Sequence, residues 1–340
     1  MALDYKKRIE NLRARRFDNE LNESVVTKSF SDINIPQNVK YLMESMARLD
    51  KKYNDRTKES AQRVKNHLES GFDLHFNRAY RTQGSLTTST NIKVHSDYDL
   101  LTIIDRYHYP GTGVPNNNPY TESDPNSDIK LLRKQSESIM EATYDEVDKS
   151  GKKNISIFNK SLHRKVDIVF CFWYNSAKFE ETKDEYWRGI YLYDFTTDSK
   201  ILDYPFAHIH QVNSKGDRTN DGSRKGIRLL KTLKADSDRD INLSSFHLTT
   251  IVHSIEDSLI NFSRGSELKI AKIISLQLKN LIDNSVLRKS IESPNGTETP
   301  LTDDKVDDIR KLKMDLDELI QDVSKETYYN YFEKGIMLYS

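Results

Sequence analysis

The stretch TQGSLTTSTNIKVHSDYDLLTIID, residues 82–105, decides the fold of this 340-residue chain. A Gly-Ser pair, Gly84 and Ser85, comes early in it. Two aspartates, Asp97 and Asp99, follow with one residue between them, and the chain then becomes apolar. Side chains two residues apart on a strand share a face, so the two carboxylates would converge. Because like charges near a core cost free energy unless they are compensated, the pair predicts a bound divalent cation.

Asp167, in RKVDIVFCFW, also lies at the edge of an apolar strand. It is the candidate third carboxylate of a two-metal centre, after Asp97 and Asp99. Carboxylates and phosphate oxygens are ligands suited to two Mg²⁺ or Mn²⁺ ions. Gly84 allows the backbone to approach a bulky anion, and Ser85 offers a hydroxyl and an N–H to a terminal phosphate. Either motif alone is usually a surface turn or a cap. Joined in this order at strand edges, they predict nucleotidyl transfer.

Composition limits the other possibilities. Lys plus Arg and Asp plus Glu are both 52, so the net charge is zero and strong non-specific binding to nucleic acid is not expected. The single cysteine, Cys171, lies in an apolar run and is expected in the core. One cysteine forms no internal disulfide, and the chain shows no signal-like or membrane-spanning apolar run, so we expect a cytoplasmic protein without membrane contact.

Periodicity predicts a helical start, a mixed middle and a helical end. Residues 4–70 are expected to be helical, with one long helix from about Val39 to Gly71. Strands are predicted around residues 73–105, and the segment YHYPGTGVPNNNPYTESDPNSD is predicted to be a long surface loop. The helix DIKLLRKQSESIMEATYDEVDKS, the strands NISIFN and HRKVDIVFCFWYN, and a hairpin strand GIYLYDFTT follow.

Four helices are expected after Pro205, in GSRKGIRLLKTLKAD, SSFHLTTIVHSIEDSLI, ELKIAKIISLQLKNLID and DDKVDDIRKLKMDLDELIQDVSK. The predicted fold class is therefore α+β. We expect two domains: residues 1–205, with an N-terminal helical spine and the mixed core, and residues 206–340, with the helices.

The motifs GS, DYD and VDIVF in this order resemble the polymerase-β-type nucleotidyltransferase superfamily. The segment GSRKGIRLLKTLKADSDRDINLSSFHLTTIVHS is similar to the helical region of the cGAS/DncV-like nucleotidyltransferases. The resemblance implies a bilobal enzyme, a polymerase-β-like core on a helical bundle. It also implies that Lys231 contacts the donor triphosphate, that Ser245 contacts phosphate, and that Phe246 stacks on a nucleobase. The family usually has a tyrosine at this last position, so a hydroxyl is missing here.

The residues themselves support Lys231 more weakly. On a helix, Arg224, Arg228 and Lys231 would form a basic stripe able to neutralise a triphosphate, although an ordinary solvated face remains open. Another pair, His208 and His210, has the spacing of metal ligands. No cysteine or acid cluster supports that role, so packing or hydrogen bonding is expected for these histidines.

The resulting prediction is a metal-dependent enzyme that joins nucleoside triphosphates into a cyclic di- or trinucleotide and releases pyrophosphate. Zero net charge and the absence of the zinc-binding His/Cys insertion of the animal enzyme favour bacterial antiphage signalling, with an effector reached through the product. Two alternatives remain. One is a linear transferase acting on RNA or on a small acceptor. The other is an inactive nucleotide-binding homologue, against which the intact acids Asp97, Asp99 and Asp167 argue.

Overall fold

A computed structural model describes residues 3–16, 35–94, 98–116 and 123–337. Within these ranges no helix is both long and apolar enough to cross a membrane. The strands are β1 Arg78–Gln83, β2 Asp99–Pro110, β3 Glu146–Asp148, β4 Asn154–Asn159, β5 Arg164–Asn175, β6 Arg188–Asp194 and β7 Ser199–Asp203. The helices are α1 Tyr5–Arg16, α2 Gln37–Met46, α3 Lys51–Gly71, α4 Pro125–Thr143, α5 Ala177–Thr182, α6 Pro205–Arg218, α7 Gly222–Asp236, α8 Ser245–His253, α9 Asp257–Ile260, α10 Glu267–Asp283, α11 Ser285–Ser290 and α12 Val306–Met337.

The chain separates into two compact units. The sheet unit consists of Asp50–Ser89 and His95–His210, and the helical unit consists of Met1–Leu49, Thr90–Val94 and Gln211–Ser340. The boundary predicted from the sequence lies near residue 205 and groups the first residues with the sheet.

The sheet unit is built on one mixed sheet in the order β1-β2-β5-β4-β3. Strand β6 pairs with the C-terminal half of β5 and with β7. Strands β2 and β5 run parallel, and the other described pairs are antiparallel. Helices α3 and α4 cover one face through buried residues such as Val64 and Leu132, which pack with Leu100, Ile168 and Phe170. This burial of aliphatic and aromatic surface is the main stabilising contribution to the unit.

The N-terminal helices α1 and α2 share the apolar core of the helical unit with α7, α8, α10 and α12. Buried polar contacts also join α1 and α2 to α7. Asp236 of α7 accepts two hydrogen bonds from Arg15, at 2.5 and 2.8 Å, and one from the Tyr41 hydroxyl at 2.9 Å. Pairings between residues so far apart in sequence leave no local pattern, which explains why the N-terminal helices were grouped differently from sequence alone.

Four local predictions were wrong. The helix predicted over residues 128–150 ends at Thr143, and Glu146–Asp148 forms β3. The helix predicted in SSFHLTTIVHSIEDSLI is interrupted after His253, so that α8 and α9 are separate. The single helix from Val39 to Gly71 is two helices, because Ala47 adopts an extended conformation and Asp50 caps a new helix by accepting from the Lys52 N–H. The loop predicted after Asp105 begins later, because β2 continues through the aromatic residues to Pro110. Cys171 is fully buried, as expected, and burial raises its pKa.

Candidate active site

Asp99 and Asp167 are direct neighbours on adjacent strands. Asp99 opens β2 and lies in register with Asp167 of β5, where the two strands run parallel. The Asp167 N–H donates to the Tyr98 carbonyl oxygen at 2.9 Å, which fixes this register. Residues in register on neighbouring strands project from the same face of a sheet. The fold therefore brings together two carboxylates from distant parts of the chain.

The acids lie at the polar end of an otherwise apolar face. Farther along the same face, β2 carries Leu101 and Ile103, and β5 carries Val169 and Cys171; all four are buried. The alternate residues point to the opposite face, against α3 and α4. An apolar surround lowers the local dielectric and strengthens the interaction of a carboxylate pair with a cation.

Four polar side chains form a row across this end of the sheet. Gln83 of β1 lies in register with Asp99, and Ser156 of β4 lies in register with Asp167. The row across β1, β2, β5 and β4 is thus Gln83, Asp99, Asp167, Ser156. The two acids are predicted from the sequence, and the two neutral members are not. Only the strand order places the neutral members beside the acids.

The Asp167 carboxylate is held by two side chains. The Ser156 hydroxyl donates to its Oδ1, and the Lys165 ammonium lies 3.2 Å from its Oδ2. The Asp167 side chain is 10% exposed, whereas the Lys165 side chain is 39% exposed. An ion pair with so much solvent access contributes little to stability. The contact with Lys165 is therefore one that a metal ion can replace at low cost.

Asp97 lies outside the described residues, and within the described ranges no group of three His, Cys, Asp or Glu side chains is placed to hold a metal ion. The described pair, Asp99 and Asp167, still fits a divalent cation by its chemistry. Both groups are carboxylates on one face, in register, at the edge of a buried apolar surface. Oxygen ligands of this kind suit Mg²⁺ and Mn²⁺.

The Gly-Ser turn begins directly after the polar row. Gly84 follows Gln83 and has φ = +100°, a conformation that strongly favours glycine. Its carbonyl oxygen accepts from the Thr87 N–H at 3.2 Å and the Thr87 hydroxyl at 2.6 Å. The Thr88 hydroxyl donates to the Ser85 carbonyl oxygen at 3.3 Å. These bonds hold the turn that carries Ser85 at the end of β1, next to the row that contains Asp99.

Lys231 lies on α7 in the helical unit, and its ammonium donates to the Thr90 carbonyl oxygen at 3.0 Å. The segment that joins the Gly-Ser turn to the aspartates is thus held on this unit, where the Val94 N–H also donates to the Arg15 carbonyl oxygen at 2.8 Å. Burial and the nearby charges of Lys93 and Arg228 lower the pKa of Lys231 to about 8. A lysine whose charge is poorly compensated by the protein is suited to an anionic ligand.

The two arginines of the expected basic stripe have structural partners. Arg228 is fully buried, and it donates to the Met46 carbonyl oxygen and to Asp221, both at 2.7 Å. Arg224 donates to Asp217 at 2.9 Å and to the Asn213 carbonyl oxygen at 2.8 Å. Buried guanidinium groups with such partners hold the unit together, so of the stripe's three residues Lys231 is the candidate for ligand binding.

At the start of α8, one serine caps the helix and the next serine is exposed. The Ser244 hydroxyl accepts from the His247 N–H, and the Ser244 N–H donates to His247 Nδ1, which makes Ser244 the N-cap. Ser245 is left exposed in the first turn, and Phe246 is half-buried. Lys234 donates to the Leu243 carbonyl oxygen at 2.6 Å, which ties this helix start to α7, the helix of Lys231.

His208 and His210 both lie on α6. Burial lowers the pKa of His208 to about 4, so this ring is neutral at pH 7. The ring of His210 packs edge-on against Tyr186 at a centroid distance of 5.0 Å. These contacts agree with the packing role expected from the sequence.

The chain is similar in sequence to known synthases. It is 34% identical over 266 residues to the cyclic dinucleotide synthase CdnE of Yersinia aleksiciae, a match that covers 76% of this chain and 69% of that protein. It is 32% identical over 343 aligned positions to a c-di-GMP synthase of Capnocytophaga granulosa, covering 93% and 96% of the two chains. No protein-family model matches the chain.

A solved structure shares the whole fold. The STING-associated CdnE c-di-GMP synthase from Capnocytophaga granulosa superposes with a TM-score of 0.81 at 30% sequence identity. The match covers 95% of this chain and 100% of that chain. The chain therefore shares the fold of this cyclic dinucleotide synthase over nearly its full length.

Proposed function

The chain belongs to the cyclic dinucleotide synthases of the cGAS/DncV-like nucleotidyltransferase family, and from this membership we propose that its product is c-di-GMP. The chain is a nucleotidyltransferase that joins nucleoside triphosphates into a cyclic oligonucleotide. The Capnocytophaga granulosa relative, which matches 93% of this chain in sequence and superposes on it as a solved structure, is a c-di-GMP synthase. The balanced reaction is two GTP molecules forming one c-di-GMP and two pyrophosphates.

The observation that carries the catalytic assignment is the register of Asp99 with Asp167. Enzymes of the family use divalent metal ions, and we assign Asp97, Asp99 and Asp167 as the ligands of two Mg²⁺ or Mn²⁺. When bound, such ions activate the attacking ribose hydroxyl and stabilise the charge on the departing pyrophosphate. Asp167, whose Oδ1 is already fixed by Ser156, is the acid assigned to the side of the attacking hydroxyl.

The remaining residues are assigned to the nucleotide. The turn at Gly84 and Ser85 binds the terminal phosphates of the donor through its hydroxyl and backbone N–H groups. Lys231 contributes positive charge to the triphosphate. Ser245, exposed at the start of α8, contacts phosphate, and Phe246 stacks on a base. Stacking tolerates every base, so these residues do not explain a preference for guanine.

The biological role follows from the product. The structural relative is STING-associated, and we place this chain in antiphage signalling, in which c-di-GMP is the signal. The effector would bind the product and need not touch the enzyme. An effector that contains a receptor domain for cyclic dinucleotides fits this role.

Product analysis tests the proposal. The purified protein is incubated with each labelled nucleoside triphosphate alone and with all four, in Mg²⁺ or Mn²⁺, and the products are treated with phosphatase before mass spectrometry. We expect GTP alone to give a phosphatase-resistant product with the mass of c-di-GMP, and Asp99→Asn to give none. A linear product that loses a terminal phosphate, or a requirement for ATP or a pyrimidine triphosphate, contradicts the proposal.

A further inference from the structure

We propose that Ser156 is a positioning residue that sets the orientation of the Asp167 carboxylate for metal binding, and that Asn154 fixes Ser156 in turn. This inference rests on the proposed role of Asp167 as a metal ligand. It assigns a function to β4, a strand without an acid of its own in the polar row. It also accounts for the serine that lies in register with Asp167 at the β4 end of the polar row.

A directed chain of hydrogen bonds supports the proposal. The Asn154 side-chain amide donates to Ser156 Oγ at 3.3 Å, and Ser156 Oγ donates to Asp167 Oδ1. A serine hydroxyl has one proton to donate. Because Asn154 occupies Oγ as a donor, the Ser156 proton is directed to Asp167. The carboxylate is thereby held by one oxygen, and Oδ2 is left to face other ligands.

Lys165 shows why this orientation matters. It lies two residues before Asp167 on the same face of β5, with its ammonium 3.2 Å from Oδ2. A carboxylate free to rotate could offer both oxygens to this ammonium. The bond from Ser156 restricts Asp167 to one oxygen facing Lys165, and a cation that displaces a half-exposed ammonium from one oxygen pays a small desolvation cost. Ser156 therefore keeps Asp167 available to a metal ion.

The chain of contacts does not serve mainly to stabilise the fold. Ser156 and Asn154 are half-buried, whereas the apolar residues of β4, Ile155 and Ile157, are fully buried against the opposite face. Partners that orient the ligands of a metal ion typically affect metal affinity or activity by about 10–100-fold when they are removed. Loss of the Ser156 hydroxyl should then reduce metal affinity without unfolding the sheet.

Mn²⁺ binding to the full chain without nucleotide, followed by electron paramagnetic resonance, provides a readout that does not depend on turnover. We expect Ser156→Ala to weaken Mn²⁺ binding roughly ten- to hundred-fold and to raise the Mn²⁺ concentration needed for half-maximal activity by a similar factor. The KM for GTP at saturating metal and the melting temperature should stay near their wild-type values. Ser156→Thr, which keeps the hydroxyl, should restore binding.

The single variants Ser156→Ala and Asp167→Asn, measured side by side, separate this inference from the proposed function. Unchanged Mn²⁺ affinity in Ser156→Ala, alongside its loss in Asp167→Asn, overturns the role of Ser156 and leaves the metal site intact. Wild-type Mn²⁺ affinity in Asp167→Asn overturns the metal-site assignment itself.

Discussion

Asp99 and Asp167 lie in register on β2 and β5, two parallel strands whose pairing is fixed by the bond from the Asp167 N–H to the Tyr98 carbonyl oxygen. Parallel strands need a long crossover connection, here one that includes α4. The pair is therefore a product of the whole sheet. A shift of one residue in this register would turn one acid to the opposite face, where the core against α3 and α4 lies.

Neutralising either acid should stop synthesis. Asp99→Asn and Asp167→Asn are expected to reduce turnover by roughly a thousandfold or more, because a lost metal ligand removes several kcal/mol of transition-state stabilisation. The same result is expected for Asp97→Asn. Relief of repulsion should leave the melting temperature without metal unchanged or higher. Initial rates at saturating GTP, with circular dichroism as the folding control, make the test, and a variant with near wild-type turnover contradicts the assignment.

Lys231 should contribute to nucleotide binding more than to chemistry. Lys231→Ala is expected to raise the KM for GTP roughly tenfold or more and to lower kcat less, as for a contact made in both the ground state and the transition state. Steady-state kinetics with GTP at fixed metal concentration measure the change in KM and the change in kcat separately. An unchanged KM, or loss of the folded state, would instead indicate a purely structural bond to the Thr90 carbonyl oxygen.

The lowered pKa of Lys231, about 8, predicts a dependence on pH. Above pH 8 the free enzyme loses the ammonium charge, so the KM for GTP should rise with pH, by at most about tenfold per pH unit. Lys231→Arg, which stays charged, should give a flatter profile. Because the pKa is lower in the folded chain than in the unfolded chain, the free energy of unfolding should rise between pH 8 and about 10.4. Lys231→Met should remove that rise in urea titrations.

Phe246 should act as a platform for a nucleobase. Phe246→Tyr is expected to be nearly silent, and Phe246→Ala to lower nucleotide affinity roughly ten- to hundred-fold, because stacking contributes about 1–3 kcal/mol per base. Leu248→Ala is the matched control on the same helix. Leu248 is buried, so its truncation should cost about 2–5 kcal/mol of stability. If Phe246→Ala lowers the melting temperature as much as Leu248→Ala does, Phe246 is a core residue.

Arg228 should behave in the opposite way to its neighbour on α7, Lys231. Arg228→Met leaves Asp221 with one fewer buried partner and the Met46 carbonyl oxygen without its donor. The expected loss is about 3–5 kcal/mol in the free energy of unfolding, measured by urea denaturation at pH 7. Lys231→Met should cost much less. An Arg228→Met protein that melts like the wild type but binds GTP weakly would place Arg228 in the nucleotide site.

The sequence predicted the parts of the site that depend on local pattern. Asp99 and Asp167 each lie at the edge of an apolar run. The run predicts a strand, and a charged residue beside it is unusual. Ser156 has no such local signal, because the role of a serine in a short strand can be predicted only when its neighbour on the adjacent strand is known. The break between α2 and α3 had a local signal, since Asp50 is a typical N-cap, but the apolar spacing on both sides concealed it. The grouping of α1 and α2 with α7 depends on distant pairs such as Arg15 and Asp236, which no local pattern records.

The central claim, that Asp99 and Asp167 hold the catalytic metal ions, is tested most directly by anomalous diffraction from crystals grown with Mn²⁺ and a non-hydrolysable GTP analogue. The account predicts two manganese peaks about 3.5–4 Å apart, with carboxylate oxygens of Asp99 and Asp167 among their ligands and the analogue's phosphates beside them. Manganese bound to the phosphates with neither carboxylate in its coordination shell would contradict the account.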